Sequence, residues 1–135
     1  MTTQESIESH GLVPTEDALP KIRQMLAHEV ELEASGKERE EDLTLLCCVQ
    51  LFGRGLLEDV LRIWAAKSAS FDLSCVVDVQ LLCGPGLERT KQFLTSQSGS
   101  EAAAALLRIT QCEASGDFEE FSPASHLQYY RDYFG

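Results

Sequence analysis

The chain has 135 residues and a mass of 14.9 kDa, and it is 44% hydrophobic and 24% charged. That is apolar enough for a packed core, and it excludes disorder throughout and argues for one domain. Acids outnumber bases 22 to 11, giving a formal net charge of −11 and a pI near 4.6. This balance excludes a nucleic-acid binder that grips phosphates with clustered Lys and Arg, and it disfavours adhesion to anionic membranes.

Residues 1–14 are polar and unpatterned and read as a loose arm before a single helical domain over 15–135. They have no basic start followed by an apolar run, and no stretch approaches a membrane span, so the cytoplasm is the expected compartment. Thr15-Glu16-Asp17 offers an N-cap with acids in the first turn. Ile22, Met25, Leu26 and Val30 then follow at helical spacing and predict a helix over 16–34, with Pro20 tolerated near its start and Gly36 as its terminator. After the charged bridge 37–42, apolar residues predict a second helix over 41–52, broken by Gly53-Arg54-Gly55, and a third over 56–67. A fourth is expected over 72–83, ended by Gly84-Pro85-Gly86, and a fifth over 87–96. A sixth is expected over 101–113, with Ser100 as its cap, and a short terminal helix over 124–134. The fold class is all-α, with six or seven helices stacked as antiparallel hairpins.

An internal repeat supports that stacking. Shifting the sequence by 30 residues lays 42–64 on 72–94 with seven of 23 positions identical, namely Asp42, Leu43, Val49, Gln50, Leu51, Leu57 and Glu58 on their counterparts. A fainter third copy places Leu106, Leu107, Ile109 and Cys112 on Val76, Val77, Val79 and Leu82. The repeat predicts a short α-solenoid-like stack with units at about 41–70, 71–100 and 101–134, each burying its apolar face on the next. In this register Asp42 and Asp72 are the expected N-caps. The fourth helix, apolar nearly all round, is the expected centre of its layer. Asp78 is expected to pair with Arg108, with Arg54 and Arg62 as other candidates.

The chemistry-bearing residues give no catalytic pattern. Cys47, Cys48, Cys75, Cys83 and Cys112 form no CxxC pair, and His10, His28 and His126 are scattered, so no metal site is expected and the thiols read as packing residues. His28 could meet a cysteine only by tertiary accident. The GxG stretches follow no strand and read as hairpin turns rather than phosphate loops. No cofactor is expected.

What remains points to binding. Residues 1–42 hold 11 acids and 4 bases, against 11 and 7 in 43–135. That asymmetry suggests steering of a basic protein partner. The expected contact residues are Glu29, Glu31, Glu33, Glu38, Glu40 and Glu41. Gln50 and Gln80 join them as recurrent polar positions, and Tyr129 and Tyr130 as part of an aromatic terminus. Tyr129, Tyr130, Tyr133 and Phe134 can alternatively seal the core. The expected function is a non-enzymatic acidic module, concretely an immunity-type inhibitor of a basic toxin or enzyme. The alternative is a small-ligand site or enzyme around Asp78, Cys75, Gln80 and Trp64. A third reading, nucleic-acid mimicry, requires the acids of 29–42 to form a regular double row.

Overall fold

The computed structural model describes residues 1–38 and 42–135. Among them are eight α-helices and no strand. The helices are α1 (Thr3–His10), α2 (Leu19–Ala34), α3 (Leu43–Arg54), α4 (Val60–Lys67), α5 (Phe71–Val76), α6 (Leu87–Ser96), α7 (Ser100–Ala114) and α8 (Pro123–Phe134). Three 3-10 turns, Glu16–Ala18, Leu57–Asp59 and Val79–Cys83, join or extend them. The all-α reading holds. The helix count exceeds the six or seven expected because residues 1–14 do not form a bare arm.

The centre of the fold is α3. Its apolar residues run all round the helix, and ten of its twelve residues are buried, as expected of a helix covered on every side. Helices α1, α2, α4 and α8 and the turn Val79–Cys83 all pack against it. Helix α6 packs on α7, and α7 also meets α4. Each fully buried Leu or Ile contributes about 1.5–3 kcal/mol.

Polar contacts fix the N-terminal segment. The Thr2 hydroxyl accepts from the Glu5 N–H and caps α1. The buried Gln50 amide on α3 donates to Ser6 Oγ at 3.2 Å and to the Gly11 carbonyl at 2.9 Å. Arg54 reaches the Pro14 carbonyl. Gly53 allows the close approach, since a Cβ there would lie 2.2 Å from Leu12 O. A second close approach joins two turns, where a Cβ on Gly84 would lie 2.6 Å from Phe52 O.

The two segments aligned by the repeat differ in backbone. Residues 43–54 form one helix, whereas the helix expected over 72–83 stops at Val76. Val77 and Asp78 are extended, with ψ of 100° and 151°, before the turn Val79–Cys83. Lys67 accounts for the break: its buried ammonium donates to the Ser74 carbonyl at 2.7 Å and to the Val77 carbonyl, supplying partners for the end of α5. Helix α5 is therefore not a layer centre, and Phe71, Cys75 and Val76 face solvent.

The expected caps also change. Asp42 sits in the left-handed region with φ of 65°, and its side chain caps nothing. Ser70, not Asp72, caps α5 by accepting from the Leu73 N–H. Gly99 rather than Ser100 precedes α7. Ser122 and Ser125 form a reciprocal capping box at α8, with Pro123 in the first turn, where a missing N–H costs nothing.

Candidate functional site at Asp78

Asp78 lies on the extended link between α5 and the turn that follows, and α8 delivers its partners. Ser122 and Pro123 start α8 so that His126 and Tyr130, four residues apart, share one helix face. His126 Nε2 lies 2.5 Å from Asp78 Oδ2. An ionised carboxylate only accepts, so Nε2–H is the donor. The Tyr130 hydroxyl donates to Asp78 Oδ1. The Arg108 pairing expected from the repeat is thus replaced by contacts from the terminal helix.

Electrostatics follows from this geometry. Burial works against the charged Asp78, but the hydrogen bonds from His126 and Tyr130 outweigh it and hold the carboxyl below the usual range. Burial, then the Asp78 carboxylate, pushes the Tyr130 phenol well above its ordinary value. Edge contacts from Phe52 and Tyr130 fix the His126 ring. Tyr129 stacks on it, with centroids 5.9 Å apart and planes at 22°. Tyr129 remains 58% exposed.

These groups line an open cleft of about 470 Å³ with Cys75, Val76 and Gln80. The sequence grouping of Cys75, Asp78 and Gln80 is therefore a real neighbourhood, whereas Trp64 lines a neighbouring cleft that shares Cys75. Gln80 is half-buried, and its amide donates to the Asp117 carbonyl at 2.8 Å. Val76 is the wall between the Asp78 cleft and a second one holding Glu33, Lys37, Glu38 and Asp42. The Tyr133 hydroxyl, 3.5 Å from Asp42 Oδ2, joins α8 to that acidic cleft.

Several expected contact residues are elsewhere. Glu29 is only 4% exposed, and its charge helps burial raise the Cys47 thiol to about 12, so it cannot face a partner. Gln50 is wholly buried and anchors the N-terminal segment. Tyr130 is buried and seals the core, while Tyr129 and Tyr133 are exposed. Glu31 and Glu38 are exposed and Glu33 is half-buried. Glu40 and Glu41 lie outside the described residues. Burial likewise pushes the Cys83 thiol to about 12. Cys75 departs from the packing reading of the cysteines, being exposed. His28 is exposed on α2.

His126 was missed as a site residue. The signal was available in its four-residue spacing from Tyr130 on one helix. Asp59 was missed as well. It is buried and held by the Arg23 guanidinium at 2.8 and 3.0 Å and by Arg62 at 2.9 Å, an ion cluster joining α2 to α4.

Cys75 and His126 line the same cleft, and among the described residues no hydrogen bond joins them. Nor does any group of three or more His, Cys, Asp and Glu side chains among the described residues converge to hold a metal ion. No described helix is long and apolar enough to cross a membrane. No family model matches the chain, and no curated protein or solved structure does.

Proposed function

We propose that the chain is an acidic protein-binding module whose docking face runs from the Asp78 cleft across Val76 to the cleft of Glu33, Glu38 and Asp42. The observation that carries this reading is the joining of exposed Tyr129 and Val76 to carboxylates on both sides, with Lys37 the one Lys or Arg among the described residues that line the two clefts. An aromatic face beside carboxylates suits a guanidinium, which stacks on the ring and donates to the acid. The occupant is a basic, Arg-bearing segment of a partner protein, chosen by charge complementarity with a chain of net charge −11. Its concrete form is an inhibitor that masks a basic toxin or enzyme surface, carried on stacked helical hairpins.

The alternative, a small-ligand site or enzyme at Asp78, has the meeting of Cys75, Asp78 and Gln80 in its favour. The unlinked Cys75 and His126 weigh against its catalytic form.

A labelled peptide of alternating Arg and Gly tests the proposal by fluorescence anisotropy. Binding at low salt that weakens as salt rises is expected, with no binding of the matching Glu peptide. Tyr129→Ala is expected to weaken it at least about tenfold, as for an exposed aromatic anchor. Equal affinity of the variant, or no binding of the Arg peptide, overturns the docking face.

A further inference from the structure

On the other side of Cys75 lies a cleft of opposite character, of about 590 Å³, between the end of α4, helix α5 and α7. Its walls include Trp64, Phe71, Lys67 and Arg108, and no Asp or Glu among the described residues lines it. This is a cationic island in a chain with twice as many acids as bases. Glu101 is tied to the Trp64 indole N–H at 3.0 Å but is not among the lining residues.

The two cations are held differently. Lys67 is 5% exposed, and two of its three ammonium protons go to the carbonyls that end α5. Arg108 is exposed on α7 and has no ion-pair partner among the described residues. Burial first, and the Arg108 charge second, pull the Lys67 pKa down, with Asp78 only partly offsetting them. An anion placed between the two would relieve the second cause. The hydroxyls of Ser68 and Ser74, also in the wall, donate their single protons to the Trp64 and Phe71 carbonyls, so toward the cleft they can only accept.

The apolar part of the cleft is equally specific. Phe71 is 81% exposed at the first position of α5. Trp64 is half-buried on α4. A flat ring laid against them would remove apolar surface from water while its anionic group reached the cations.

We propose that this cleft binds a small aromatic anion, an aryl phosphate or aryl carboxylate, with Arg108 and Lys67 holding the anionic group and Trp64 and Phe71 holding the ring. A guanidinium fork matches either oxyanion in a two-point contact. Two cations are too few for a nucleic-acid backbone, and the cleft adjoins the docking face proposed above, sharing only Cys75 with it.

Trp64 is the only tryptophan, so its fluorescence reports on the cleft directly. Phenyl phosphate titrated into the full chain is expected to change the emission saturably. Arg108→Glu should abolish the change, and Arg108→Gln should weaken it at least tenfold, with the helical circular dichroism unchanged in both because Arg108 is exposed. Inorganic phosphate should need at least tenfold higher concentration, and Tyr129→Ala should bind phenyl phosphate as the parent does. A linear, collisional response, or equal affinity in both Arg108 variants, overturns the site. Equal binding of inorganic phosphate overturns its aromatic half.

Discussion

The two clefts that share Cys75 carry opposite charges, and their charges are satisfied over different distances in sequence. The Asp78 carboxylate accepts from His126 and Tyr130, 48 and 52 residues later. The Lys67 ammonium donates to carbonyls only seven and ten residues later. The Lys67 side of the cationic cleft is therefore set by a local turn between α4 and α5, and α7 adds Arg108 to it. The acidic cleft exists only when α8 has docked on α3. Loop closure over the longer span costs more entropy, though only logarithmically. The larger consequence is cooperativity: the Asp78 contacts report on tertiary docking, and the Lys67 contacts report on one corner.

Substitutions can separate the two. Lys67→Met is expected to act most strongly, because it leaves two carbonyls at the end of α5 without their donor. A loss of about 2–4 kcal/mol in urea unfolding is expected, and an unchanged midpoint would show that water replaces the ammonium.

Asp78→Asn comes next, at about 2 kcal/mol, because charge-assisted hydrogen bonds become neutral ones. It also carries a pH test. The Asp78 carboxyl is more acidic in the fold than in an unfolded chain, whose value is about 3.9. Its stabilisation is thus present above about pH 4 and is lost as the pH falls through the folded value. Asp78→Asn should flatten that acid limb in a series of thermal melts, and an unaltered limb would mean the contacts do not couple to folding.

Tyr130→Phe is the smallest of the three, about 1 kcal/mol for one hydroxyl. The phenol is less acidic in the fold than outside it. The stability it contributes is complete below about pH 10 and is lost as the pH rises beyond that. The variant should lack this alkaline loss, and retention of it would assign the titration to another group.

The sequence was most legible where a periodic apolar stripe met a local cap or a breaker. Helix α6 falls on the expected 87–96, and α8 starts one residue before the expected Ala124. It was least legible where a distant polar group decides the backbone. Helix α1 is anchored by the Gln50 amide rather than by an apolar stripe, so residues 1–14 offered no periodicity to find. Residues 72–83 kept a helical pattern, but Lys67, on the preceding helix, ends α5 early. At the site, Cys75, Asp78 and Gln80, near in sequence, line one cleft, whereas Trp64, grouped with them from the sequence, lines the next. The partners of Asp78 were not legible, because the repeat register pointed to Arg108 while the i, i+4 pair His126 and Tyr130 lay outside it. Glu29 and Gln50 show the same limit: charge and polarity suggested the surface, and packing placed both inside.

Gly53 and Gly84 sit where backbone meets backbone, with Leu12 O and Phe52 O occupying the space a side chain would take. Even alanine at either position would force the main chain apart. Selection on this scaffold would therefore act more stringently on these two unreactive positions than on the charged rims of the clefts. In a lineage descended from this chain, the two glycines should outlast Glu38, Tyr129 and Arg108, and would serve as the marks by which distant relatives could be recognised.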